Sequence, residues 1–156
     1  MSARVTADPS PVLEDHPFLR GFDPDFLTAI GHRSECRRYG TGELLVREGD
    51  AAREFFLVYS GKVSLEVVAP ATPPLSTQTV GPGEVVGWAW LIPPHRWPID
   101  ARALKPTRTL VLDADALRRR FESHPEEGYR FLSRLLPVIA QRLDNLRLQL
   151  LSLHGV

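Results

Sequence analysis

The pattern that most restricts the fold is a series of short apolar runs separated by glycine, between residues 36 and 112. Leu44-Leu45-Val46 and the stretch from Phe55 to Tyr59 are such runs, and beyond Gly61 apolar residues alternate with polar ones from Val63 to Val67. Runs of this length with glycine turns between them, including one predicted at Gly61, are typical of antiparallel strands in a small roll or barrel. We therefore predict a mostly β fold, an antiparallel β-roll with flanking helices.

Helical signals flank the predicted strands on both sides. Asp23 is a predicted N-cap with Pro24 at the first helical position, and the short helix that they open should end near Gly31. After Leu112 the apolar spacing becomes helical, and Asp113 should cap a helix over 115–121.

A long helix should follow, over about residues 124–154, opened by a capping box of Ser123 and Glu126. Pro137 lies inside it and should kink it about one turn earlier. Apolar residues at alternating three- and four-residue spacing form a seam that we expect to pack on a second chain, in a homodimer or a larger complex. The alternative is that the helix folds back at Pro137 and buries the seam in its own core. The predicted association residues are Leu136, Ile139, Leu143, Leu146, Leu150 and Leu153.

Composition and charge narrow the functional classes. The chain has 19 basic and 19 acidic residues, a formal net charge of zero, whereas nucleic-acid-binding proteins usually carry a basic excess. No apolar stretch is long enough to span a bilayer, and the N-terminus lacks the apolar segment of a secretory signal, so we expect a cytoplasmic protein with no membrane contact. Residues 1–12 should form a flexible leader and residues 13–156 a single domain.

Nothing in the sequence points to catalysis. The histidines are scattered, neither a Gly-x-Ser-x-Gly nor a phosphate-binding glycine loop is present, and the carboxylates show no motif spacing. We expect a non-enzyme with no catalytic residues, no metal and no cofactor. Cys36 is the only cysteine and is expected to be structural.

The order of these parts resembles the cyclic nucleotide-binding domain family, over roughly residues 16–150. The match is carried by Gly42-x-x-Leu45-Val46-x-Glu48-Gly49-Asp50 and by Phe55-Phe56-Leu57-Val58-x-x-Gly61-x-Val63-x-Leu65. The family includes the sensor halves of catabolite-activator-type regulators, and the resemblance implies its β-roll. A cupin-like roll is the alternative; the long terminal helix and the lack of a His-x-His cluster weigh against it.

The residues that bind the ligand in the family are replaced here. The resemblance implies a Glu for the ribose hydroxyl and an Arg for the cyclic phosphate. Trp88 stands at the position of that Glu, and Trp97 at the position of that Arg. Arg96 is one residue out of register, which a one-residue bulge could restore, and Arg102 is expected to point outward from a strand. Cyclic nucleotide is therefore possible but not favoured. The candidate pocket residues are Gly87, Trp88, Ala89, Trp90, Arg96, Trp97 and Arg102.

All three tryptophans lie in this segment, at positions 88, 90 and 97. One interpretation is that they fill the vacated pocket, with Trp88 on its ribose side, and stabilise a roll without ligand. A second is a surface for a partner protein, and a third is a changed small-molecule site in which a flat ring stacks on tryptophan and an anion meets Arg96.

We expect a stand-alone, non-catalytic regulatory module that acts through protein association. The family's regulators continue into a DNA-binding domain, whereas this chain stops at Val156 after the long helix, so we expect no direct DNA binding. Similar freestanding domains serve as accessory subunits of larger enzymes. The alternative is a genuine sensor of a cyclic nucleotide or another small ligand, with a shifted pocket, that signals through its terminal helix.

Overall fold

A computed structural model of the 156-residue chain describes residues 3–5 and 10–155. The chain packs as two compact units, residues 1–119 and residues 120–156. The sequence interpretation treated residues 13–156 as one domain.

The first unit consists mostly of β-strands. Its elements in chain order are β1 (Ala3–Val5), α1 (Ser10–Asp15), α2 (Pro24–Gly31), β2 (Ser34–Tyr39), β3 (Leu44–Val46), β4 (Glu54–Val67), β5 (Leu75–Val80), β6 (Val85–Val86), a 3-10 helix (Ala89–Leu91) and β7 (Asp100–Asp113). All strand pairs are antiparallel, in the order β1-β2-β7-β4-β5, with β3 on β7 and β6 on β4. The predicted antiparallel, mostly β fold is confirmed.

Strand β4 runs unbroken through Gly61, where the sequence predicted a turn. Gly61 has φ +100°, and its pairing with β7 shifts register between Val58 and Val63, so the glycine marks a bulge within one long strand. A side chain at Gly61 would overlap Thr107 and the Pro106 carbonyl, so the close approach of the two strands requires glycine here. β7 is likewise one long strand of 14 residues.

The core of this unit lies around the first half of β4. Four consecutive residues, Phe55 to Val58, are fully buried, which means that both faces of the strand are covered. Helix α2 contributes Phe26, Leu27 and Ile30 to this core. The continuous apolar run in the sequence is therefore the signature of a central strand.

The predicted helix signals were partly right. The Asp23 carboxylate accepts a hydrogen bond from the Asp25 N–H at 2.9 Å, and that of Asp113 accepts from the Ala116 N–H at 3.1 Å. Helix α3 spans Ala114–Ser123 and α4 spans Pro125–Leu153, unbroken at Pro137. The capping box was wrong: His124 is the N-cap of α4, and no side chain caps that end.

The second unit comprises the end of α3 and the whole of α4. The Arg120 guanidinium donates two hydrogen bonds to the Glu127 carboxylate, at 2.6 and 2.9 Å. The rings of Phe121 and Phe131 lie 5.2 Å apart, and Gly128 packs closely against Phe121. These contacts hold the last turn of α3 against the first turns of α4 within this unit.

Part of the predicted leader is regular structure. Ala3–Val5 pairs with β2, and α1 begins at Ser10, where we expected irregular chain. Residues 1, 2 and 6–9 lie outside the described residues, and flexibility of the leader stays a prediction.

His16, directly after α1, joins the start of the chain to β4. Its Nε2 donates to the Val58 carbonyl at 3.0 Å, its Nδ1 accepts from the Phe18 N–H at 3.1 Å, and its ring lies edge-on to Tyr59 at 5.0 Å. Only a neutral imidazole with the proton on Nε2 makes both bonds. Burial lowers the pKa of His16 below its usual value, against the opposing effect of nearby backbone carbonyls.

Acid should therefore destabilise the fold through His16. Because the unfolded chain takes up this proton first, stability should fall by about 1 kcal/mol per pH unit from about pH 6.5 down to the lowered pKa, and be fully present above pH 6.5. Urea unfolding between about pH 7 and pH 5 should show a weaker pH dependence in His16→Gln than in the wild type. The exposed His32→Gln serves as control and should keep the wild-type slope; equal slopes in the wild type and His16→Gln would contradict the assignment.

Candidate functional site

The candidate site is the segment between β6 and β7, which contains the three tryptophans. β6 pairs with β4 through Val85 and Val86, so the segment leaves the sheet beside the buried half of β4. It returns through His95, Arg96 and Trp97, which pair with the loop between β3 and β4 before β7 begins. The site is therefore held at both ends by backbone hydrogen bonds to the roll.

Trp90 is fully buried within the first unit. Its indole N–H donates to the Gly87 carbonyl at 3.2 Å, and its ring meets Phe55 edge-on, 5.8 Å between centroids. The one polar atom of the side chain is thus satisfied inside an apolar environment. Trp90 anchors the 3-10 helix to the core of the roll.

Trp97 is buried over Gly87. Its exposed fraction is 5%, and its ring lies 6.2 Å from that of Phe56. Gly87 has φ +103°, and a Cβ built on it would overlap the Cη2 and Cζ3 edge of the indole. The backbone of Trp97 also exchanges hydrogen bonds with the β3–β4 loop, at 2.9 Å to the Asp50 carbonyl and 2.8 Å from the Gly49 N–H. The ring therefore occupies the space that the missing side chain at Gly87 leaves.

Trp88 is less enclosed than the other two tryptophans. It precedes the 3-10 helix and is half-buried, whereas the neighbouring Ala89 is 8% exposed. Our first interpretation had the three tryptophans fill the pocket together, with Trp88 on its ribose side. Of the three, Trp90 and Trp97 are the buried side chains.

The two candidate cations have other partners. Arg96 is exposed, and its Nη1 donates to the Gly49 carbonyl at 2.8 Å. Arg102 donates through Nε to the largely buried Glu66 carboxylate at 3.2 Å and through Nη1 to the Gly42 carbonyl at 2.8 Å. The structure thus brings Gly87, Trp90 and Trp97 together and gives both arginines structural hydrogen bonds.

Sequence reasoning missed Arg118 of α3. Its guanidinium donates to the Trp90 carbonyl and pairs with Asp115 one turn earlier. The tryptophan segment is therefore tied to the start of α3 as well as to the sheet. No spacing rule joins residues 28 positions apart, so the sequence carries no signal for this contact.

A separate, polar cleft lies where β2 begins and β7 ends. Its volume is about 600 Å³, and His32, Arg33, Glu35, Arg53 and Asp113 are among its lining residues. Its lining has four carboxylates against two arginines, and one pair of these, Arg33 and Asp113, forms an ion pair at 3.4 Å. None of the predicted pocket residues lines it.

Two further properties bear on the site. Within residues 3–5 and 10–155, no group of three or more His, Cys, Asp or Glu side chains is arranged to hold a metal ion. None of the helices in that part of the chain is both long and apolar enough to cross a membrane.

Comparison with known proteins places this geometry in context. The sequence model of the cyclic nucleotide-binding domain family matches residues 36–124. Glutaminase 2 of Bradyrhizobium diazoefficiens is 27% identical over 144 residues, which are 91% of this chain and 22% of that protein. A CRP-like cAMP-activated global transcriptional regulator of Mycobacterium tuberculosis is 25% identical over 125 residues, 80% of this chain and 54% of the regulator. The chain thus spans about a fifth and about half the length of these curated relatives.

A solved structure shares the fold over nearly the whole chain. The cyclic nucleotide-binding domain from Methylobacillus flagellatus superposes with a TM-score of 0.82 at 22% identity, covering 97% of this chain and 88% of that one. At this identity the comparison concerns the fold alone.

Proposed function

Because this chain belongs to the cyclic nucleotide-binding domain family, we propose that it is a non-catalytic regulatory module that acts through association with another protein and does not bind cAMP or cGMP tightly. The proposal has two parts, a site closed by the chain's own side chains and a helix that offers an association surface. Each part has its own test.

The packing of Trp97 on Gly87 carries the first part. In the family resemblance, position 97 belongs to the arginine that pairs with the cyclic phosphate. Here an indole lies there, buried against the glycine backbone and Phe56. A phosphate could enter only if the ring left, and it would then meet an apolar surface without a bidentate cation.

The neighbouring arginines support the same conclusion. Arg102 is held by Glu66 and by the Gly42 carbonyl, so its charge is already paired. Arg96 lies at the surface and is bonded to the β3–β4 loop. Both guanidinium groups therefore have hydrogen-bond partners away from the Trp97 ring.

The relatives support a regulatory role. The same kind of domain makes up part of a protein named as a glutaminase and part of one named as a transcriptional regulator. A segment that recurs beside such different activities fits a controlling module better than a catalytic one.

Cyclic nucleotides should bind weakly. Without the phosphate arginine and the ribose glutamate, we expect dissociation constants for cAMP and cGMP no tighter than about 100 μM by calorimetry. Tryptophan fluorescence provides a second readout, because buried indoles lie at the site. A mutant with Trp97→Arg restores the family's cation and is the informative comparison; it should bind more tightly than the wild type if it folds.

Low-micromolar binding by the wild type would overturn this part. It would favour the alternative, a sensor with a shifted pocket in which Arg96 moves by one residue to reach the phosphate. Arg96→Ala should then abolish the binding, whereas Arg53→Ala, a cation outside the segment, should leave it intact.

A further inference from the structure

Four cations lie together on the exposed surface of the sheet: Arg38 of β2, Lys62 of β4, and Lys105 and Arg108 of β7. We call them the basic patch. The strands that carry them are adjacent in the order β2-β7-β4. With strands about 4.8 Å apart and about 3.4 Å per residue along them, the patch measures on the order of 10 Å in each direction.

Their pairing places like charges directly opposite each other. Arg38 is the cross-strand partner of Arg108, and Lys62 is the partner of Lys105. Opposite residues of an antiparallel pair have Cβ atoms about 5 Å apart, and like charges there destabilise a sheet. Two such pairs side by side therefore oppose folding.

No carboxylate of the described structure forms an ion pair with these four cations, although the chain pairs many of its other arginines. Arg33, Arg102 and Arg120 each contact an acidic side chain. Burial raises the pKa of the Tyr59 phenol, Cys36 and Asp15 raise it further, and Arg108 of the patch opposes the shift.

Protection of a sheet edge does not account for the two arginines. Lysine and arginine are common on edge strands, where they prevent unwanted pairing. The two arginines lie within the sheet: Arg38 is paired with Ala3 on one side and Arg108 on the other, and Arg108 is paired with Arg38 and Ser60. Nor does overall charge account for them, since the chain is neutral.

We propose that the basic patch is a docking surface for an acidic segment of a partner protein, a stretch rich in Asp and Glu. Arginine guanidinium groups match carboxylates with two parallel hydrogen bonds, and the lysines add compact charges beside them. Binding of the acidic segment places a carboxylate between each like-charged pair and so removes the repulsion that the free chain carries. The surface is independent of the tryptophan segment and of any ligand there.

A protein segment fits better than nucleic acid. Binding to a nucleic acid draws its affinity from many phosphates neutralised over an extended surface, on a protein with a basic excess. A patch on the order of 10 Å on a neutral chain contacts few phosphates. It matches the span of a few residues of an extended acidic peptide.

Fluorescence anisotropy of a fluorescein-labelled octaglutamate peptide with the full chain tests the proposal. The peptide should bind, and its affinity should be roughly tenfold lower in about 300 mM salt than at low salt. The double variant Arg38→Glu, Arg108→Glu should lower the affinity for the peptide by about tenfold or more. The matched control is Arg47→Glu with Arg53→Glu, which changes the net charge equally at exposed cations outside the patch and should have less than about a twofold effect.

A second variant separates binding from folding. Lys105→Glu turns one like-charge pair into an opposite-charge pair. It should therefore raise the melting temperature by about 2 °C and lower the affinity for the peptide. The proposal is overturned if the peptide does not bind at about 1 mM, if both double variants lose affinity equally, or if single-stranded DNA of the same charge binds more tightly than the peptide. A Lys105→Glu protein that melts higher and binds as before would also overturn it.

Discussion

Replacing Trp97 with alanine should lower the free energy of unfolding by about 3–5 kcal/mol. The side chain is buried between Gly87 and Phe56, so its removal leaves a cavity that rigid backbone on one side cannot fill. The loss combines the transfer free energy of the indole with the cost of that cavity. Urea unfolding followed by circular dichroism measures it, since the mutation itself alters the tryptophan fluorescence.

The other tryptophans provide the controls. Trp90→Ala should lower the free energy of unfolding by a similar amount, because that ring is fully buried. Trp88→Ala should lower it by only about 1 kcal/mol, because Trp88 is half-buried. If Trp88→Ala is the most damaging of the three, the assignment of the filling residue is wrong.

Gly87→Ala tests the same contact from the other side. The alanine would have to adopt a left-handed backbone conformation, and its methyl group would overlap the indole. The substitution should therefore lower the free energy of unfolding by about 3 kcal/mol. In the double mutant with Trp97→Ala the overlap is gone. The double mutant should therefore lose less free energy of unfolding than the sum of the losses in the two single mutants. Strict additivity would mean that the ring and the glycine do not touch in solution.

Much of the fold could be predicted because its signals are local. Asp23 and Asp113 cap helices through their own carboxylates, and a four-residue apolar run marks a strand that is covered on both faces. Gly61 was misassigned because a glycine with positive φ serves a turn and a bulge equally well, and only the partner strand decides between them.

The site was harder to predict than the fold. The sequence predicted a site in the tryptophan segment, and the family resemblance implied that its charged residues are replaced there. Which tryptophan faces the core depends on the 3-10 helix Ala89–Leu91, because it interrupts the strand alternation on which such predictions rest. The arginine contacts depend on long-range pairing: Arg102 reaches Gly42 across 60 residues.

The leucine face of α4 carries the association part of the proposal. Leu143, Leu146 and Leu150 are 47%, 36% and 57% exposed, and they repeat at three- and four-residue spacing. The helix of 29 residues is about 43 Å long at 1.5 Å per residue, so the exposed seam extends over several turns. An apolar face of this kind is unfavourable in water unless another helix covers it, and its spacing is that of a two-helix seam.

Leu146→Glu with Leu150→Glu should therefore weaken association at least about a hundredfold, since two buried charges replace two buried leucines and cost roughly 3 kcal/mol or more. We expect sedimentation velocity to show the wild type as an oligomer and the double variant as a folded monomer. Gln141→Glu with Gln149→Glu adds the same charge to exposed positions of the same helix and should leave the oligomer intact. If the wild type is a soluble monomer and the leucine variant simply unfolds, these leucines belong to the chain's own core and the association proposal is wrong.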